Sequence, residues 1–461
     1  MKNKIKIINL IKINFILICL LFIEFFYLYN NENSYNLFFR KFLDFQFLSI
    51  LGFSLLCGTI LISFFQPYNI FLGTFFIFLG GRFLLDLFNL RDVMSMDRFI
   101  NFSLKGIEQI ELFKVIIFAI LFINLGFLVG NFLCSRTMKI KEYKISNIDF
   151  VLRKIYIVFF EIFFFLSSYK KIILYNFIEK KGYLALYREK ITYPFFTKGS
   201  GTFSEISYIL FLLTKPSKKI FLIISFQYLF IGFLEALSGS RGRFIIRILV
   251  VITYYFTEYE KKINYLLISG ITMFVITFSQ YINQFRSGLS FNLNKLFFSF
   301  FNQQGVSINV LGTIIKFKNE LKDVIQFSIL SFTTEEGNTI LNGQSGVLSH
   351  SLSYFLSPQR YLNGEGIGGS FLGEVIALDS KIIFIILMFM LGFIIGILFL
   401  NRKKSELNMG GYLIILPHIY YMSRDSYFPN IKYLSFYFLF IIIHYLIHKK
   451  LENKFEKRSF N

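Results

Sequence analysis

Tryptophan is absent from this 461-residue chain, and cysteine (3), histidine (4) and proline (6) are scarce. The three cysteines, Cys19, Cys57 and Cys134, all fall in apolar stretches, so no disulfide framework or metal-binding pattern is readable. Acidic side chains are few as well: 28 Asp and Glu stand against 49 Lys and Arg, a formal net charge of +21. That excess is broken into short basic runs between apolar stretches rather than laid along one amphipathic surface, which argues against nucleic acid as a partner. What the chain has in quantity is apolar: 55% hydrophobic residues, with 65 Phe and 27 Tyr. A mean hydropathy of +0.58 is far too high for a soluble domain of this length. The chain reads as a polytopic membrane protein in which tyrosine supplies the interfacial aromatic belt.

A bilayer-spanning helix needs about 20 apolar residues, and on that basis roughly twelve segments qualify. They run approximately Ile8 to Tyr29, Gln46 to Phe65, Ile70 to Leu90, Leu112 to Cys134, Ile155 to Leu174, Gly201 to Thr214, Ile220 to Leu237, Phe244 to Thr257, Ile263 to Tyr281, Lys381 to Leu400, Gly411 to Met422 and Ile431 to His448. The first has a basic front and an apolar core without a small-x-small cleavage site after it, and reads as a retained anchor. Alternating from a cytoplasmic N-terminus puts Arg136 to Lys154, Lys215 to Lys219, Lys261 with Lys262, Arg402 to Lys404 and the tail Lys449 to Arg458 inside, in agreement with the positive-inside rule. One stretch disagrees: Lys170, Lys171, Lys180, Lys181, Arg188, Lys190 and Lys198 fall outside, either as a basic external surface or because the count slips by one there. The expected organisation is nine transmembrane helices over 1–281, a large extracytoplasmic loop with short amphipathic helices over 282–379, and three further helices with a basic cytoplasmic tail over 380–461.

Lysines dominate the inner loops, whereas arginines recur at the opposite mouth: Arg241 and Arg243 in SGSRGR, Arg286 in QFRSG, Arg360 in SPQRYLNGEG and Arg424 in MSRDS. Guanidinium presents a planar, permanently charged fork of donors that matches phosphate oxygens. The split therefore points to an extracytoplasmic site for a large anion. If the segment after Gly242 is helical, Arg243 and Arg247 share a face, with Arg247 one turn into the membrane. Snorkelling to lipid headgroups is the competing role for any single arginine. Glu365, Glu374, Asp425, Glu335, Glu336 and His350 lie on the same side as possible general bases. Glu374, after GEGIGGSF at the entry to the next span, is the first choice; its ordinary alternative is an interfacial charge paired with Lys381. Gly364, Gly366, Gly368 and Gly369 only formally resemble a nucleotide-binding run, since no strand precedes them, and close backbone approach to a ligand or helix suits them better. A phosphate-binding GxxxxGK[ST] and an HExxH are both lacking, as is an outward D-x-D. Arg82 and Asp86, four residues apart, are expected to neutralise one another. Glu161 is expected to be buried without an evident partner.

The motifs SGSRGR, QFRSG, YLNGEGIGGSFLGE (Tyr361 to Glu374) and SRDS, in that order through the C-terminal half, resemble the O-antigen polysaccharide polymerase (Wzy-type) family of bacterial inner-membrane proteins. Gly373 stands where that motif would have Ala. The resemblance implies an all-α polytopic fold like that of the C-type glycosyltransferases. It also implies an enzyme without cofactor or metal that transfers a growing glycan from a polyprenyl diphosphate carrier to the non-reducing end of another lipid-linked repeat. Glu374, Arg286 and Arg424 would be catalytic, and Arg241, Arg243, Arg247, Arg360, Tyr361, Glu365, His350 and Asp425 would bind the diphosphate or glycan. Implied partners are the lipid-linked oligosaccharide, membrane lipids, a chain-length regulator and a flippase. The implied setting is the inner membrane, with both termini cytoplasmic and the site periplasmic. An O-antigen ligase uses the same donor and stays open as an alternative. A lipid-linked oligosaccharide flippase should show two similar halves and midplane charges, which are not evident.

Overall fold

A computed structural model of the protein describes residues 2–31, 37–90, 102–104, 106–137, 147–182, 191–259, 265–287, 296–321, 348–363, 365–427 and 431–459, with the single positions Val93, Ala185 and Glu189. All regular structure among these is helical. That is the solution open to a chain whose backbone amides must be satisfied without water. Each of the twelve apolar segments falls on a helix. Among the described residues, seven helices are long and apolar enough to cross a bilayer: Lys4–Asn30, Leu37–Leu61, Pro67–Leu87, Gly106–Cys134, Lys218–Leu237, Lys381–Asn401 and Tyr433–Asn453. The other segments lie on Asn147–Lys181, Ser200–Leu213, Arg241–Glu258, Tyr265–Ser287 and Glu406–Tyr421, which are shorter or carry more charge.

The chain folds into two compact units, each assembled from distant stretches. The first comprises Met1–Met138, Asn292–Ile397 and Tyr420–Pro429. Its N-terminal helices are laced by a buried amide seam. Asn14 donates to the Leu121 carbonyl (3.1 Å), Asn124 to Asn14 Oδ1 (2.9 Å) and Tyr68 to Asn124 Oδ1 (2.8 Å). Two glycine pairs at four-residue spacing, Gly126 with Gly130 and Gly392 with Gly396, face each other across the Gly106–Thr137 and Lys381–Asn401 helices. A Cβ at Gly126 would overlap the Phe389 carbonyl, one at Gly392 would overlap the Ile123 carbonyl, and one at Gly130 would stand 3.0 Å from the Phe393 carbonyl. Small residues let two membrane helices touch backbone to backbone, which substitutes for a hydrophobic drive that lipid does not supply. Between 296 and 377 lie the short helices Leu296–Gln304, Ile308–Lys316, Lys318–Leu321, Leu348–Leu356, Pro358–Leu362 and Phe371–Ala377. Val310, Ile314, Leu321, Leu348, Leu352 and Ile367 close over one another as their common core.

Arg82 and Asp86 do not form the expected pair. Asp86 is held by Arg40 at 2.6 Å and Lys41 at 3.1 Å, while Arg82 reaches Asn309 Oδ1 at 2.7 Å. Partners from other helices outcompete the i, i+4 neighbour because burial demands a full set of acceptors.

The second unit comprises Lys139–Phe291, Leu398–Ile419 and Asn430–Asn461. Its longest helix, Asn147–Lys181, has 35 residues, roughly 52 Å and well beyond a hydrocarbon core. Three of the lysines that disagreed with the threading have partners within this unit: Lys171 pairs with Glu235, Lys181 with Glu189, and Lys170 lies over the Tyr193 ring. Glu161, expected to lack a partner, accepts a hydrogen bond from Gln227 at 3.2 Å.

Candidate functional site

In the first unit, two of the sequence motifs meet. After Gly368, whose φ of +78° suits glycine, the chain runs extended through Ser370 into the helix Phe371–Ala377. Phe371 is fully buried, edge-on to Phe71 and Phe75, and anchors that helix. The 422–427 turn lies directly against this strap: a Cβ at Gly369 would stand 3.4 Å from the Asp425 backbone and 3.5 Å from the Arg424 carbonyl. The glycine run thus allows close backbone approach, here between two peptides.

Glu374, only 5% exposed, clamps the same turn. Its Oε2 accepts from Ser426 Oγ at 2.8 Å and from the Tyr427 amide at 2.7 Å. The Tyr427 phenol donates to the Leu387 carbonyl at 2.7 Å, and burial pushes its pKa above the usual tyrosine value. Arg424 closes the 3-10 turn Met422–Arg424. Its Nη1 donates to Gln304 Oε1 at 2.6 Å, and its guanidinium lies 5.6 Å from the Phe78 ring centroid. Arg424 is half-buried and Asp425 exposed. A buried carboxylate and a propped guanidinium are therefore presented by one small turn-and-strap substructure. Gln304 and Ser426, which prop these groups, were not singled out from sequence. Ser426 lies inside the SRDS motif, but Gln304 has no local signature.

The neighbouring stretch carries a second cluster. His350 Nδ1 and the Tyr361 hydroxyl are 2.9 Å apart, and Tyr354 packs edge-on to Tyr361. Burial raises the Tyr361 phenol. Ser353 Oγ accepts the Ile367 amide at 3.1 Å, and the Glu365 amide reaches the Arg360 carbonyl at 3.1 Å. Arg360 itself is exposed. Gly373, where the resembled motif would carry Ala, backs onto this layer: a Cβ there would come within 2.9 Å of Val310 Cγ1. Glu335, Glu336, Gly364 and the glycines of 342–346 lie outside the described residues.

Arg241, Arg243, Arg247 and Arg286 belong to the second unit. The helix Arg241–Glu258 forms as the spacing predicts, with Arg243 exposed and Arg247 buried. Arg241 donates to the Ser279 carbonyl at 2.8 Å. Arg286 lies near the end of the helix Tyr265–Ser287, and its side chain is outside the described residues. Arg247 is the hub of a charge network that sequence reasoning missed. Its Nη2 meets Glu205 Oε1 at 2.9 Å and Glu235 Oε2 at 3.2 Å; Lys171 binds the other Glu235 oxygen at 2.7 Å, and Tyr437 donates to Glu205 at 2.6 Å. The guanidinium lies over the Tyr228 ring at 4.8 Å, while Nη1 is buried and finds no hydrogen-bond acceptor among the described residues. Two cations and two carboxylates balance, as a low-dielectric setting requires. The available signal was an acidic residue inside an apolar stretch, at Glu205 and at Glu235.

Among the described residues one group has the composition of a metal site: Asp149, Glu406 and His448, also in the second unit.

A family model for the O-antigen polysaccharide polymerase Wzy matches residues 12–454. An O-antigen polymerase of Escherichia coli is 27% identical over 296 residues, which cover 61% of this chain and 61% of that protein. The chain therefore aligns with about three-fifths of that relative's length. No solved structure matches.

Proposed function

The chain belongs to the O-antigen polysaccharide polymerase Wzy family, and from that premise we propose that it is a membrane glycosyltransferase that joins lipid-linked oligosaccharide repeats. The reaction takes place at the outer face of the cytoplasmic membrane, with twelve spans and both termini inside. The growing glycan leaves a polyprenyl diphosphate carrier and is received by the non-reducing end of another lipid-linked repeat. A chain-length regulator and a flippase would be its working partners.

One observation carries the reading: Glu374 and Arg424, from motifs about fifty residues apart, are fixed together through the 424–427 turn. Their chemistry fits the two demands of the transfer. The acceptor hydroxyl gives its proton to the Glu374 carboxylate as its oxygen bonds to the anomeric carbon. The bond from that carbon to the carrier's phosphate oxygen breaks, and the diphosphate leaves with the electron pair. A diphosphate is a weakly basic leaving group, so it needs positive charge more than a proton, and pre-placed guanidinium meets that charge as it develops. Arg424 is assigned this role. Tyr361, His350, Arg360, Glu365 and Asp425 are assigned to the glycan, and Arg286, Arg241 and Arg243 to phosphate binding on the second unit by itself, while Arg247, enclosed with Glu205 and Glu235, is a structural charge.

The test is the surface glycan of a strain deleted for this gene and complemented with it. A single capped repeat in the deletion, with long ladders restored on complementation, supports polymerisation. Loss of all capped glycan would instead mean ligation, and repeats trapped inside the cell would mean flipping.

A further inference from the structure

We propose that the second unit contains a divalent transition-metal site, of the zinc class, built from Asp149, Glu406 and His448 and separate from the transfer chemistry. The three come from three different helices, Asn147–Lys181, Glu406–Tyr421 and Ile431–Ser459. Their exposures are 2%, 7% and 8%. One ligating atom from each falls within 4.8 Å of the others.

The spacing is what distinguishes this group from an ordinary ion pair. His448 Nε2 stands 3.4 Å from Asp149 Oδ1 and 3.4 Å from Glu406 Oε1. A charge-assisted hydrogen bond closes to about 2.7–2.9 Å. By contrast, the edge of a tetrahedron with metal–ligand bonds of about 2.0–2.1 Å is about 3.3–3.4 Å. Imidazole nitrogen with carboxylate oxygen is a zinc-type donor set, and three protein ligands leave a fourth position for water.

A second observation points the same way. His444, one helical turn before His448 and 1% exposed, has its Nδ1 fixed by the Tyr156 hydroxyl at 2.7 Å. Its Nε2 faces Glu406 Oε2 at 3.5 Å, and both of these buried atoms lack a hydrogen-bond partner among the described residues. Tyr156 thus fixes the His444 ring with its other nitrogen turned toward Glu406, the position of an outer group beside a metal-bound carboxylate. A divalent ion would clamp the ends of three helices, each beside a lysine- or arginine-bearing segment read as cytoplasmic.

The experiment uses the full-length, untagged protein in detergent. Metal content is measured by mass spectrometry, and Co2+ is titrated after chelator treatment while its visible ligand-field absorption is followed. The expected result is one zinc per chain, a Co2+ spectrum of nitrogen and oxygen ligation, and an affinity at least about tenfold weaker in His448→Asn and Asp149→Asn. If either variant fails to fold, the wild type carries the test: chelation should lower its melting temperature and Zn2+, but not Mg2+, should restore it. Absence of stoichiometric metal and of a Co2+ spectrum would overturn the site, as would metal binding unchanged in both folded variants. Because the readouts are metal content and melting, they stand or fall independently of whether the chain polymerises glycan.

Discussion

Replacing Glu374 by Gln separates the carboxylate's chemistry from its structural grip. The amide keeps an oxygen where Oε2 now accepts from Ser426 and Tyr427. Hydrogen bonds to a charged acceptor are each worth about 1.5–3 kcal/mol and neutral ones about 0.5–1.5, so the exchange weakens the clamp by about 2–3 kcal/mol without removing it. The variant should therefore insert and accumulate. Loss of a general base costs about 10²–10⁴ in rate, or about 2.7–5.4 kcal/mol of barrier. Ser426→Ala is the complementary change: one of the two bonds is lost, the carboxylate remains, and the rate should fall by about tenfold or less. The assay is a time course of chain extension in membranes from a deletion strain carrying each variant, normalised to protein by immunoblot. Extension by E374Q within about tenfold of wild type would refute the role given to this carboxylate, as would a loss in S426A as complete as in E374Q.

Arg424→Lys and Arg286→Lys should each abolish long glycan while leaving membrane insertion intact, because a point charge cannot reproduce the forked donor geometry; persistent ladders in both would count against the arginine assignment. Arg247→Met leaves the buried Glu235 with Lys171 as its remaining ion-pair partner and should destabilise by less than the about 3–5 kcal/mol of a wholly uncompensated buried charge, seen as a lowered melting temperature in detergent; a combined Arg247→Met, Glu235→Gln variant should recover part of the loss. Gly392→Ala drives a methyl into the Ile123 carbonyl and should cost more than the about 1–3 kcal/mol of ordinary overpacking, read as reduced yield of folded protein.

The helical segments were legible because a bilayer leaves an apolar run little choice but helix, and each of the twelve expected runs lies on one. The chemistry-bearing motifs at Tyr361 to Glu374 and Ser423 to Ser426 were visible too, although the hydrogen bonds that join them were not. What escaped was pairing between helices distant in sequence. Arg82 finds Asn309 rather than Asp86, Glu161 finds Gln227, and Arg247 finds Glu205 and Glu235. Local periodicity says which face a side chain occupies and nothing about which helix will oppose it. Two signals did stand in the chain unread: the glycine pairs Gly126/Gly130 and Gly392/Gly396, and His444 with His448 at helical i, i+4 spacing.

The separation of 227 residues between Arg82 and Asn309 also sets a clock on biogenesis. At about 5–20 residues per second, a ribosome needs roughly ten to forty-five seconds to deliver Asn309 after Arg82 has emerged. For that interval a guanidinium destined for deep burial must wait without its eventual amide acceptor. Until then only nearer partners such as the Val93 carbonyl are on hand, so this guanidinium would complete its set of acceptors only when the later helices arrive.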